Sequence, residues 1–198
     1  MKLRAAIVLI SALLLSACGL NSVPTAEEAA KARWADVQNG YQRRADLIPN
    51  IAATVKAAAG SEGRILTDVT NARAKATSIQ LAPGDLTDPA KMQAFGAAQD
   101  QLSGAISRLL VSVEAYPQLK SQEGWTMLIR ELAGSENRIS VAIHDYNLAV
   151  EAYNVKVRTF PDAIGARIFY GAKPMVAYQA RAGAEIPPNL DVMLGNAN

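Results

Sequence analysis

Apolar residues recur at helical spacing over three long stretches of the chain. In the first, Trp34, Val37, Tyr41, Ile48, Ile51, Val55, Ile65, Val69 and Ala72 follow one another at steps built from threes and fours. Such steps lie on one stripe of an α-helix. Thr25-Ala26-Glu27-Glu28 precede the stripe and fit a capping box, which predicts a helix start at Thr25. Pro49 falls inside the run, where it can donate no amide, so a kink or short break is expected there. Gly60 and Gly63 weaken the middle further.

Pro83-Gly84-Asp85 mark a loop over residues 78–87. Asp88-Pro89 then supply a cap and a first-turn proline. The second stretch is a heptad seam: Met92, Phe95, Gln99, Leu102, Ile106, Leu109 and Val113 alternate steps of three and four. Pro117 predicts a stop near Tyr116. A third helix is expected from about Ser121, carrying Trp125, Leu128, Leu132, Ile139, Ile143, Tyr146, Val150, Tyr153 and Val157, and ending at Pro161. A short helix over 162–169 follows. From Gly171 onward, glycines and Pro174, Pro187 and Pro188 predict an extended tail. Its Met175, Val176, Tyr178, Leu190 and Val192 are expected to pack against an end or groove. No stretch alternates with the period of a strand. The predicted class is all-α: an antiparallel bundle of three long helices, the first kinked and the whole four-helix-bundle-like, with a short fourth helix and an extended C-terminal tail.

The N-terminus follows a different pattern. Lys2 and Arg4 precede an apolar run from Ala5 to Leu15, and then comes Leu15-Ser16-Ala17-Cys18. A basic start, a short apolar segment and small residues before a cut describe a secretory signal peptide. The run is shorter than the ~20 residues a membrane-spanning helix needs. The tetrapeptide resembles the bacterial lipobox, in which the cysteine sulfur receives a diacylglyceryl group, the chain is cut before the cysteine, and the new amine is acylated. Here the cut falls between Ala17 and Cys18. The organisation expected is a lipoprotein signal peptide over 1–17, an acylated cysteine and tether over 18–24, a bundle over 25–170 and a tail over 171–198. Gly19, rather than aspartate, follows the cysteine. In a Gram-negative host the sorting rule this resembles points to the periplasmic side of the outer membrane.

Composition narrows the chemistry. Of 198 residues, 50% are hydrophobic, enough for a packed core. The net charge is +2, and the leader alone carries Lys2 and Arg4, so its removal brings the balance to zero. No basic block tracks a phosphate backbone, and no nucleic-acid partner is expected. Cys18 is the only cysteine and His144 the only histidine, which excludes an internal disulfide. There is no Gly-x-Ser-x-Gly elbow, no phosphate-binding glycine loop and no Glu-x-x-His pair for a di-metal bundle site. No catalytic residue, metal or cofactor is assigned. His144, next to Asp145, reads as a polar-face residue. Glu131, Glu136 and Asp145 share the third helix without singling out an acid–base pair.

Three segments together resemble the LemA family. The first is Arg44-Ala45-Asp46-Leu47-Ile48-Pro49-Asn50-Ile51, followed at helical spacing by Val55, Glu62, Val69, Ala72 and Arg73. The second is Ala115-Tyr116-Pro117-Gln118-Leu119-Lys120, then Trp125, Leu128 and Leu132. The third is Glu131-Leu132-Ala133-Gly134-Ser135-Glu136-Asn137-Arg138-Ile139, then Asp145-Tyr146-Asn147 and Tyr153-Asn154. The chain departs from the family at Ile143, where a basic residue is common, and in having a lipobox where many relatives have a transmembrane anchor.

The resemblance implies an all-α antiparallel bundle at a bacterial membrane. It supplies no catalytic residue, and the family's molecular activity is not established. Some relatives are linked with membrane metalloproteases or envelope partners. The matched polar residues are Arg44, Asp46, Asn50, Glu62, Arg73, Glu136, Asn137 and Asn147. Either they pair inside the bundle and fix its register, or they form a surface that docks a protein. The expected protein is a non-enzymatic, lipid-anchored envelope scaffold, bound to the membrane through Cys18 and to an unidentified envelope protein, a membrane protease among the candidates. The alternative is a carboxylate-based envelope hydrolase or metal-binding protein using Glu136, Asp145 or Glu62. A third possibility is direct action on lipid by an amphipathic helix or the tail.

Overall fold

The computed structural model describes residues 21–59 and 63–179. Ala17, Cys18, Glu62, Leu190 and Val192 lie outside the described residues, and with them the lipobox. Helix α1 spans Ser22–Ala59 and α2 spans Gly63–Ser78. A 3-10 turn at Pro83–Thr87 leads into α3, Pro89–Val113. The short α4, Pro117–Lys120, precedes α5, Glu123–Arg158, and α6, Asp162–Gly165, continues into a π-helical turn over Ala166–Tyr170. No strand occurs among the described residues.

Four helices make the bundle expected from the periodicity. Helix α1 runs antiparallel to α5: Arg33 faces Asp145, Trp34 touches Tyr146, and Arg44 bonds Glu136. The two come so close at Gly40 that a Cβ there would sit 2.9 Å from Ile139 Cγ1. Helix α2 folds back along the C-terminal half of α1, and α3 packs along α2. The apolar stripes meet in two clusters. One gathers Trp34, Val37, Tyr41, Phe95, Tyr146, Val150, Tyr153 and Tyr178; the other gathers Ile48, Ile51, Val55, Leu102, Leu109, Trp125, Ile129 and Leu132.

Local signals were followed unevenly. Asp88 caps α3 as expected, its Oδ1 accepting the amides of Ala90 and Lys91 at 2.9 and 3.3 Å. The capping box at Thr25 does not form. The helix already begins at Ser22, and the Thr25 hydroxyl donates back to the Asn21 carbonyl instead. Glu28 pairs forward with Lys31. Of the kink or short break expected at Pro49, the break is absent. Helix α1 continues through it to Ala59, because the ring faces outward and the carbonyl it leaves unbonded finds another donor. On α5 the buried edge takes in Ile129 and Ser135, while Leu128, Ile143 and Val157 are only half-buried. A 36-residue helix near 3.6 residues per turn drifts off a strict seven-residue seam, so neighbouring positions exchange burial.

The chain leaves the last turn through Gly171, whose φ of +55° lies in the left-handed region that favours glycine. From there to Gln179 the described chain forms neither helix nor strand. Met175 and Tyr178 are buried and Val176 is half-buried, in a groove beside α5 and the 3-10 turn, where Val176 N donates to the Leu86 carbonyl at 2.8 Å.

Candidate functional site: a polar layer and a strapped groove

Between the two apolar clusters lies a layer of polar side chains centred on Arg44. Its position on α1 follows from the stripe: it sits between Tyr41 and Ile48, on the face that turns inward. The residue is 1% exposed. Nη1 donates to Ser103 Oγ at 2.8 Å and to Glu136 Oε1 at 3.0 Å. Nη2 donates to Gln99 Oε1 at 2.9 Å and to the Gln99 carbonyl at 3.3 Å. Gln99 passes the network on, its Nε2 donating to the Ala76 carbonyl on α2. The guanidinium also lies 4.9 Å from the Tyr41 ring centroid, a cation–π distance. One planar cation thus joins α1, α3 and α5, and through Gln99 also α2. A buried charge needs such partners, because desolvation alone costs several kcal/mol, on the order of what a good ion pair returns. Among the described residues only its Nε and the indole nitrogen of Trp34 are buried without a hydrogen bond.

Arg73 on α2 is matched to the family and works on the backbone. Its Nε donates to the Ala45 carbonyl at 2.7 Å, and its Nη2 stands 3.9 Å from Asp46 Oδ1. Asp46 also accepts from Gln42. Asn50 and Asn137 are exposed, as is His144. Asp145 is half-buried and lies 3.8 Å from Arg33, and Glu131 meets Arg43 at 3.0 Å on the surface. The matched polar residues therefore divide. Arg44 and Glu136 meet inside, Arg73 and Asp46 meet at the edge, and Asn50 and Asn137 face outward.

Asn147 belongs to a second device. Tyr146-Asn147 and Tyr153-Asn154 are the same dipeptide one heptad apart, so both pairs project from one face of α5. Asn147 Nδ2 donates to the Tyr178 carbonyl at 3.0 Å, and its Oδ1 accepts the Tyr178 amide at 2.8 Å. Asn154 holds Met175 in the same two-bonded way at 2.9 and 2.8 Å. The hydroxyls of Tyr146 and Tyr153 donate to the carbonyls of Val176 and Lys173. Each asparagine amide imitates a neighbouring strand for one residue, so an extended segment is held without a sheet. Tyr178 then reaches inward to place its hydroxyl 2.9 Å from that of Tyr41. Burial pushes the Tyr41, Tyr146 and Tyr178 phenols above their ordinary range. At Tyr41 the neighbouring Tyr178 adds to the rise, whereas at Tyr178 the bond to Tyr41 opposes it.

Gln99 and Ser103 join the polar layer without having been singled out by the sequence pattern, and buried Ser135 bonds the Leu132 carbonyl of its own helix. The signal for Gln99 was its place on the heptad seam, where every other residue is apolar. Among the described residues no group of three His, Cys, Asp or Glu side chains gathers as a metal ligand set.

An all-α bundle with a buried arginine layer and a strapped C-terminal segment is the class of protein these features define. The chain belongs to the LemA family, whose profile matches residues 33–191. It is 24% identical over 124 residues to Protein LemA of Metamycoplasma hominis, covering 63% of this chain and 52% of that one. It is 31% identical over 64 residues to the magnetosome proteins MamQ 1 and MamQ 2 of Paramagnetospirillum magneticum, covering 32% of this chain and 24% of each relative. The matches thus span between a quarter and about half of the relatives' lengths.

Proposed function

We propose that this protein is a non-enzymatic scaffold of the bacterial envelope, held at a membrane by acylation of Cys18 and presenting its helical bundle to an envelope protein. The lipobox Leu15-Ser16-Ala17-Cys18 supports the anchor, on the periplasmic face of the outer membrane in a Gram-negative host, and no described helix is long and apolar enough to cross a membrane. Two or three acyl chains hold a protein firmly on a bilayer, where one gives only marginal binding.

The observation that carries the scaffold reading is the use made of Arg44. The most deeply buried charge binds Gln99, Ser103 and Glu136 of its own chain and ties all four bundle helices together. That arrangement favours a stiff rod whose outer faces are free to dock. The hydrolase or metal-binding alternative draws less support. Glu136 is spent on Arg44, and Asp145 sits near Arg33 on a different part of α5.

Photo-crosslinking in intact cells tests the scaffold. With unnatural residues placed at exposed Asn50 and Asn137, one reproducible envelope protein is expected, a membrane protease among the candidates. Normal expression with no reproducible adduct from any exposed face would contradict the reading.

A further inference from the structure

The end of the bundle that carries the start of α1 also carries an unusual surface. Phe160 is 82% exposed, Ile168 69% and Phe169 66%, and Ile164 and Tyr170 are open beside them. These residues fall within eleven positions, on the turn after α5, on α6 and on the π-helical turn, where an ordinary bundle end would be polar. The flanks are basic. From Lys156 to Lys173 the chain carries Lys156, Arg158, Arg167 and Lys173 against the single acid Asp162. Asp162 stands 4.0 Å from Lys156, while Arg158, Arg167 and Lys173 are exposed and make no ion pair among the described residues.

Where this surface sits follows from the register of α1 on α5. Arg33 faces Asp145, Trp34 touches Tyr146, and Val23, Ala26 and Ala30 share one core cluster with Tyr153 and Ala166. That antiparallel register puts Arg158, the last residue of α5, beside the first turn of α1, two residues before Phe160, and α6 packs against α1. Cys18 is four residues from Ser22. Whatever its path, a four-residue segment reaches no more than about 14 Å. A cysteine acylated at that position would thus deliver its lipid to the same end of the molecule as the exposed aromatic and aliphatic side chains.

We infer that Phe160, Ile164, Ile168, Phe169 and Tyr170, with Arg158, Arg167 and Lys173 around them, form a docking face for an anionic lipid surface, which sets the bundle upright on its membrane. This rests on the anchoring reading above and deepens it. Apolar side chains entering the headgroup boundary and cations facing anionic lipid are the pairing that interfacial segments use. An acyl anchor alone would leave the rod free to swing, whereas a second contact at the same end fixes its orientation.

The test uses the mature chain, residues 18–198, carrying Cys18→Ser so that no acyl group or native thiol is present. An environment-sensitive fluorophore is attached at Ile168→Cys or, as a control at the opposite end of α5, at Met127→Cys. With phosphatidylglycerol-containing vesicles the label at 168 is expected to shift to the blue and to be quenched by lipid-borne quenchers, while the label at 127 is unchanged. Phosphatidylcholine vesicles should give a signal at least about tenfold weaker. Separately, Phe169→Ser and the pair Arg167→Glu, Lys173→Glu should each lower vesicle partition about tenfold or more, with unchanged helical circular dichroism.

Equal responses at 168 and 127, or no response at 168, overturn the inference. So does a blue shift that needs no vesicles and grows with protein concentration, since the face would then pair with a second copy. Because this chain carries no lipid, its failure leaves the acylation of Cys18 standing, and a native chain without acyl groups would leave a positive vesicle result standing.

Discussion

Arg73 Nε donates a 2.7 Å hydrogen bond to the carbonyl of Ala45, on the neighbouring helix. That carbonyl is the one a residue at position 49 would normally bond, and position 49 is proline. An α-helix pays for an internal proline with one orphaned acceptor four residues back. Here Ala45 is buried, and α2 supplies the missing donor from a side chain. The pair explains why α1 runs unbroken to Ala59.

The coupling is measurable. Arg73→Met should destabilise the protein by about 1–3 kcal/mol, since it strands a buried carbonyl. Pro49→Ala restores an amide to that carbonyl, so the same Arg73 substitution should cost less in its presence. A double-mutant cycle by urea denaturation should give a coupling of about 1 kcal/mol or more. Additive effects would refute the pairing.

The arginine layer makes a different prediction. Arg44→Leu leaves Gln99, Ser103 and Glu136 without their cation and should cost about 3–5 kcal/mol. Replacing Glu136 with leucine as well removes the stranded charge and keeps the Gln99 bond to the Ala76 carbonyl. Arg44→Leu with Glu136→Leu should therefore recover part of the lost stability, read from denaturation midpoints. A double variant no more stable than Arg44→Leu alone would mean that the layer is not organised as described.

The strap depends on two amides. Asn147→Ala removes both bonds to Tyr178, and Asn154→Ala removes both to Met175. Each should cost about 1–3 kcal/mol. The sharper readout is hydrogen exchange. The Tyr178 amide should exchange faster in Asn147→Ala, and the Met175 amide in Asn154→Ala, with α1 and α3 still protected.

The buried phenols set the behaviour in alkali. Tyr41, Tyr146, Tyr153 and Tyr178 have pKa values raised chiefly by burial. Unfolded tyrosine ionises near pH ~10, so below that both states hold the proton and the contribution is fully present. Above it the unfolded chain sheds protons that the folded chain keeps, and stability falls until the folded values are reached. Urea midpoints should thus decline from about pH 10 upward. Absorbance at 295 nm should show these four of the six tyrosines ionising together with unfolding rather than before it. Early titration of all six in a folded chain would contradict the burial.

Much of the fold is legible in the sequence because helical periodicity is a local signal repeated many times. The stripes through Trp34, Phe95 and Tyr146 needed no knowledge of their partners. The departures have a common cause, in that local rules met a distant partner. Pro49 predicts a break unless Arg73 is known to stand opposite it. Gln99 looks like an imperfection in a heptad until Arg44 is placed beside it. The Tyr-Asn dipeptides at 146 and 153 are visible as a repeat, but only a strap lying across them gives the repeat a purpose. Phe160, Ile168 and Phe169 follow the third stripe, and their exposure is a tertiary fact that no spacing reveals.

Anchoring turns on Cys18, and its most direct measurement is the intact mass of the N-terminal peptide of the protein isolated from its native membranes. The expected peptide begins at Cys18 and carries a diacylglyceryl thioether and an acylated amine. The Cys18→Ser chain should lose both the modification and detergent-resistant membrane attachment. A native protein that keeps residues 1–17, or begins elsewhere with an unmodified thiol, would contradict the lipid anchor and with it the proposed place of this bundle in the envelope.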